Sequence, residues 1–229
     1  MDFADLARRF ADARFPNASL VLVSGSTARN ERTATSDVDL LVLGDRVFSD
    51  ERSSLAATFE HEGEVFEVFA YTSSGFNEWA ERGVREYRPV IVDMLVSGVV
   101  VVDDGSLDGM RAHWAQTYAA GPSVSDHELR ARRYGITDLI DDLADAVDPV
   151  EKHVIAFTLY ERLAELVLIY NRCWIGTGKN LPRRLRELDP QLATALGSPL
   201  VAGDHAAFGQ RAAYELERLG GRLQVGFVR

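Results

Sequence analysis

VLVSGSTARNERTATSDVDLLVL, residues 21–43, decides the fold of this chain. An apolar run ends at Gly25-Ser26, ten residues separate Ser26 from Asp37, and Asp39 opens a second apolar run. Side chains alternate across a strand, so carboxylates at i and i+2 share a face. Two like charges there repel and resist desolvation, and a structural role offers no compensation. A divalent cation does, so the pair reads as a metal site beside a small-residue loop able to hold phosphate. Gly25 lets backbone approach a ligand closely. A helix opening from the loop, from Gly25 to about Arg32, presents unpaired N–H groups, and the hydroxyls of Ser24, Ser26 and Thr27 add donors. Taken singly, each part has a plainer reading: Gly and Ser cap strand-to-helix turns, and an Asp at a strand entry caps a turn. The two parts in this order and spacing carry the metal reading.

A third acid, Glu67, stands in Val65-Phe66-Glu67-Val68-Phe69. A charge among apolar neighbours on a strand is costly unless exposed or paired. Glu67 therefore either faces outward at a sheet edge or joins Asp37 and Asp39 from the next strand; Glu62 and Glu64 lie nearer the turn. Three carboxylates beside a triphosphate suit two-metal phosphoryl chemistry. Mg²⁺ takes oxygen ligands and keeps waters and phosphate oxygens in its shell, and two ions about 3.5–4 Å apart stabilise both attacking and leaving oxygens.

Gly25-Ser26, then Asp37-x-Asp39 in an apolar strand, then an acid on a following strand, resembles the DNA polymerase beta-like nucleotidyltransferase superfamily. Within it the chain is similar to the bacterial aminoglycoside (streptomycin/spectinomycin) adenylyltransferases, with the strong motif covering residues 21–72. The resemblance implies that Gly25 and Ser26 hold triphosphate and that Asp37, Asp39 and Glu67 hold two Mg²⁺ ions, with ATP as co-substrate. It also implies that Glu67 acts as general base on the acceptor hydroxyl. Thr177-Gly178-Lys179 followed by Arg183 is similar to those enzymes too, implying Lys179 and Arg183 on the β- and γ-phosphates. The residues alone fit equally a glycine cap with solvated cations. They are not a Walker A loop, since Cys173 and Asn180 replace its first Gly and its Ser/Thr. Arg29 and Arg32 are further triphosphate candidates.

The implied fold is an α/β (α+β) nucleotidyltransferase domain with a short mixed sheet, residues 1–120, followed by an α-helical bundle domain, residues 121–229, for substrate. The implied activity moves an NMP, AMP from ATP, onto a hydroxyl of a small molecule such as an aminoglycoside-like antibiotic and releases pyrophosphate. A second implied reading is an antitoxin-type minimal nucleotidyltransferase that binds or adenylylates a protein partner.

The spacing of Phe3, Leu6, Ala7 and Phe10 predicts a helix over residues 2–15, ended by Pro16-Asn17. Strands are predicted at 19–24, 38–43, 64–72 and 99–102, with a hairpin connection at His61-Glu62-Gly63. Helices are predicted at 76–87 and from Pro89, as first helical residue, to Ser97, with Gly98 as stop. After about residue 106 no strand is expected. Helical periodicity covers 126–147, 150–174 and 204–221, and Gly121-Pro122-Ser123 reads as the linker. Residues 154–170 are apolar nearly all round, as in the central helix of a bundle. A cleft between the two domains is the expected ligand site.

With 229 residues, 46% hydrophobic and 26% charged, the chain suits a globular protein with a sizeable core. A net charge of −10 argues against sequence-independent nucleic-acid binding, which needs a basic face. It serves either solubility or a cationic substrate. Asp138, Asp141, Asp142 and Asp145 recur at helical spacing, as a solvated face or a pocket for an ammonium-bearing substrate. The single cysteine, Cys173, excludes an internal disulfide and reads as a small buried hydrophobe. The five histidines lack zinc-ligand spacing. Asp2, Asp5, Arg8 and Arg9 interrupt any secretory pattern, and no apolar run approaches membrane-spanning length, so the expected location is cytoplasmic.

Overall fold

The computed structural model describes residues 3–228. The chain divides into two compact units, Met1–Ala120 and Gly121–Arg229. The first opens with α1 (Phe3–Arg14), which buries Leu6, Ala7, Phe10 and Ala11 on one face, as helical spacing requires. Asp2, counted in the expected helix, lies outside the described residues. There follow β1 (Leu20–Ser24), the single turn α2 (Gly25–Ala28), β2 (Val38–Leu43), β3 (Ser54–His61) and β4 (Glu64–Tyr71). Next come α3 (Ser73–Arg85), α4 (Val90–Ser97), β5 (Val99–Asp103) and α5 (Leu107–Ala120).

The strands form one mixed five-stranded sheet in the order β3-β4-β2-β1-β5. β2 and β4 run parallel, and the other neighbours are antiparallel. The β3–β4 hairpin turns at Glu62 and Gly63, with φ of 51° and 83°, the two positive values that a two-residue turn needs to match strand twist. Alternation gives the sheet two buried faces. Val21, Val23, Leu40, Val42, Phe66, Val68 and Ala70 pack with α1. Leu20, Leu22, Leu41, Leu43 and Tyr71 pack with α3, α4 and α5. Phe10 stacks on Phe66 with centroids 4.4 Å and planes 3° apart. At the β5 edge the register slips between Val21–Val102 and Leu22–Val100, and Arg8 donates to the carbonyl of the bulged Val101.

The second unit contains α6 (Asp126–Asp145), α7 (Pro149–Tyr170), α8 (Asn180–Leu188), α9 (Pro190–Val201) and α10 (His205–Arg218), with no strand among the described residues. Ser125, Asp148, Asp189 and Asp204 start four of these helices by accepting N–H bonds from the first turn. Its buried carboxylates are paired: Glu165 with Arg132 at 3.1 Å, and Glu215 with Arg211 and with Arg218 at 2.9 Å. The architecture is the expected one, a mixed sheet with flanking helices followed by a helical region.

Several local expectations are corrected. Pro89 caps α4 from outside rather than opening it. α3 begins earlier than residue 76, because the Thr72 hydroxyl accepts from the Gly75 N–H at 3.1 Å, and it ends before Tyr87, which takes φ 61°. α7 stops at Tyr170 rather than 174. Arg172 takes φ 58° and the Cys173 N–H returns to the Leu168 carbonyl at 2.8 Å, a helix-closing arrangement usually built on glycine. Cys173 therefore lies beyond the helix and is half-buried, not a core residue. α7 is buried all round only over residues 163–169, while Val154 and Phe157 are exposed. α5, α8 and α9 add to the helices expected. No described helix is long and apolar enough to cross a membrane.

Phe66 is fully buried and stacked, so Phe66→Ala should destabilise the first unit by about 3–5 kcal/mol in urea unfolding. Val65→Ala, at an exposed neighbour, should change stability by no more than about 0.5 kcal/mol.

Candidate active site

Three rows of side chains cross the α3–α5 face of the sheet. Leu20, Leu43 and Tyr71 form one, and Leu22, Leu41 and Phe69 form the next. Ser24, Asp39 and Glu67 form the third, with Thr58 beyond Glu67. The first two rows pack into the core. One register step further every side chain is polar, so the core ends and a site begins. Asp37 joins from just before β2. One carboxylate oxygen each from Asp37, Asp39 and Glu67 lies within 4.8 Å of the others, and all three residues are half-buried.

At that range an ionised pair repels by roughly 3 kcal/mol or more at an effective dielectric near 20. Asp39 registers the conflict. Burial first, then the charges of Asp37 and Glu67 and a hydrogen bond with Glu67, raise its carboxyl from 3.8 to about 6, against a smaller opposing pull from Arg29. The donor set is all oxygen and only half enclosed, which fits a hard cation such as Mg²⁺ that keeps water and phosphate oxygens in its shell. A bound dication would invert the local electrostatics that now favour protonation.

Gly25 has φ 63°, and a Cβ there would fall 1.7 Å from Asp39 Oδ2. Only glycine allows this turn and this carboxylate to share the space. Ser26 is half-buried in the same turn. α2 is four residues long, not a helix reaching Arg32, so the loop can offer phosphate N–H groups and hydroxyls but little dipole. The Thr27 hydroxyl, expected as a ligand donor, instead donates to the Asp37 carbonyl at 3.2 Å. Arg29 is exposed and paired with Glu31 at 3.0 Å. Arg32, expected as a triphosphate candidate, is bonded through Nη2 to Glu64 at 2.6 Å and to the Ser36 carbonyl at 2.8 Å.

Lys179 and Arg183 belong to the second unit and are exposed, Lys179 just before α8 and Arg183 within it. Gly178, with φ 51°, opens the way into α8 and does not cap α7, whose cap is Asn171. On α6, Asp141 already accepts from Arg222 and Gln224, while Asp142 and Asp145 are exposed. Thr58 was absent from the expectations. The turn at Glu62-Gly63 sets His61 opposite Glu64, and counting back along the hairpin places Thr58 opposite Glu67.

Residues 5–94 match the family model of the nucleotidyltransferase domain. The match runs from α1 into α4 and takes in Gly25, Ser26, Asp37, Asp39 and Glu67. Over that stretch the chain is similar to a nucleotidyltransferase domain, and it is an enzyme of the nucleotidyltransferase class. A crystal structure of a nucleotidyltransferase-like protein from Exiguobacterium sibiricum 255-15 is similar with a TM-score of 0.49 at 12% identity, covering 95% of this chain and 74% of that one. No curated protein matches the chain.

Folding raises the pKa of Asp39 from 3.8 to about 6, so between those values the folded chain holds a proton that the unfolded chain has released. This contribution to stability is complete below the lower value and is lost as pH rises through the upper one. In chelator the melting temperature should therefore fall across this window. Mg²⁺ should raise it more at about pH 7.5 than at about pH 5, and Asp39→Asn should flatten both responses. An Mg²⁺ effect indifferent to pH and to Asp39 would contradict the site.

Proposed function

We propose that the chain transfers a nucleoside monophosphate, AMP from ATP, to a hydroxyl of a small acceptor in an Mg²⁺-dependent reaction that releases pyrophosphate. The observation that carries this reading is the meeting of Asp37, Asp39 and Glu67 beside a glycine turn lying against Asp39. When bound, Mg²⁺ would neutralise phosphate charge and align the reacting groups. Asp37 and Asp39 are the residues proposed to hold it, with Glu67 as a third ligand, as the base, or as both in turn. As base, Glu67 takes the proton of the acceptor hydroxyl. The hydroxyl oxygen bonds to the α-phosphorus, the bond from that phosphorus to the bridging oxygen breaks, and its electron pair leaves with pyrophosphate.

Gly25 and Ser26 are proposed to hold the triphosphate through backbone N–H and hydroxyl groups. Arg29 would assist once it leaves Glu31. Lys179 and Arg183 are assigned to the β- and γ-phosphates on their likeness to the adenylyltransferases. The acceptor is proposed to bind the helical unit and to be cationic, as an aminoglycoside is. The net charge of −10 supports this, as do Asp138, Asp142 and Asp145 on α6; Asp141 supports it less, being paired already.

Purified protein incubated with each NTP, Mg²⁺ and an aminoglycoside panel, with products weighed by mass spectrometry, tests the reading. One acceptor should gain a single nucleotidyl unit, with one pyrophosphate released from the NTP. Asp37→Asn and Asp39→Asn should each lower turnover by roughly a hundredfold or more while still unfolding in one cooperative transition, and Glu67→Gln should lower kcat by about 10²–10⁴. Full turnover by Asp39→Asn at saturating Mg²⁺ would refute the mechanism. Label arriving on a protein would replace the small acceptor with a protein one.

A further inference from the structure

The three carboxylates are not held alike. Asp39 and Glu67 lie within strands and directly opposite each other. Asp37 precedes β2, and the ladder with β4 begins only at Val38–Phe66. Side-chain hydrogen bonds hold its backbone instead. The Thr27 hydroxyl donates to the Asp37 carbonyl at 3.2 Å. Arg32 Nη2 donates to the carbonyl of Ser36, on the other side of the Asp37 Cα, at 2.8 Å.

Both donors are themselves anchored. Thr27 is buried in α2, the turn that begins at Gly25. The Arg32 side chain is only 19% exposed, and it pairs at 2.6 Å with Glu64, the first residue of the strand that carries Glu67. Its guanidinium carbon also lies 4.2 Å from the centroid of the Phe3 ring. One flanking carbonyl of Asp37 is thus tied to the phosphate-side turn, and the other to the strand of the third acid.

We infer that Thr27 and Arg32 are positioning residues that fix Asp37 at cation-binding distance from Asp39 and Glu67. This rests on the metal reading proposed above. Like charges drive Asp37 outward, and the sheet does not restrain it, so without the two tethers the cation must itself draw the loop back. Loss of partners that orient metal ligands typically costs 10–100-fold in affinity. Arg32 suits the task because its Nη2 donates to the Ser36 carbonyl and to Glu64 at once, and the guanidinium stays charged at any working pH.

The test uses Mn²⁺ alone as probe on the full chain, with binding followed by calorimetry and by the free-ion EPR signal, and melting in chelator reporting the fold. Thr27→Val, which removes the hydroxyl at nearly constant volume, should weaken Mn²⁺ about tenfold or more, and Thr27→Ser should restore it. Arg32→Met, which removes both Nη2 bonds, and Glu64→Gln should weaken it in the same direction. Raising Mg²⁺ should recover kcat in Thr27→Val and not in Asp37→Asn, a split that general destabilisation does not produce. If Thr27→Val unfolds, Glu64→Gln alone decides. Wild-type Mn²⁺ affinity in the folded tether variants, with Asp37→Asn defective, would overturn this inference and leave the metal site standing. A wild-type chain that binds no Mn²⁺, or binds it no better than Asp37→Asn, would overturn the metal reading itself.

Discussion

Repulsion among Asp37, Asp39 and Glu67 is the constraint on which the first unit turns. Elsewhere the chain answers an awkward carboxylate with arginine. Glu62 has Arg9, Glu64 has Arg32, Glu165 has Arg132 and Arg162, and Glu215 has Arg211 and Arg218. Among the described residues no ion pair forms to the three clustered acids, although Arg29 stands near enough to draw Asp39 downward slightly. Three acids held together without a cation of the protein's own could take one from outside. The scaffold enforces the arrangement through parallel pairing that sets Asp39 opposite Glu67 and a turn where only glycine fits against Asp39. Two apolar rows and the Phe10–Phe66 stack below them keep that sheet end from opening.

Much of this was legible in the sequence because the signals are local. An apolar run marks β2, and a Glu-Gly pair between two β-rich runs marks the hairpin. A period of two relates Asp37 to Asp39. What alternation does not reveal is strand order. Nothing in residues 44–53 says that β4, rather than β3, lies beside β2, so an outward-facing edge position stays open for Glu67 as the lesser reading, and the register sets it against Asp39 instead. The tethers on Asp37 were illegible for the same reason. Arg32 meets Glu64 across 32 residues of sequence, and a cation near a glycine turn reads more readily as a phosphate ligand than as a strut.

The helical unit shows which local signals fail. α5 buries only Leu107 and Trp114 in fourteen residues, too few to trace a stripe. α9 carried a usable signal, since Asp189-Pro190 starts it just as Asp148-Pro149 starts α7. Helix ends were misplaced where Tyr87 and Arg172 adopt left-handed φ values, a conformation that sequence reading reserves for glycine. The acidic run on α6 divides by tertiary context: Asp141 is taken by Arg222 and Gln224, and its exposed neighbours Asp142 and Asp145 are left to solvent or ligand.

Anomalous diffraction from crystals grown with Mn²⁺ and a non-hydrolysable ATP analogue addresses the central claim most directly. The account requires a manganese peak within about 2.3 Å of carboxylate oxygens from Asp37 and Asp39, with the analogue's phosphates against Gly25 and Ser26. Ordered nucleotide with manganese bound elsewhere, or Glu67 turned away from the other two acids, would contradict it.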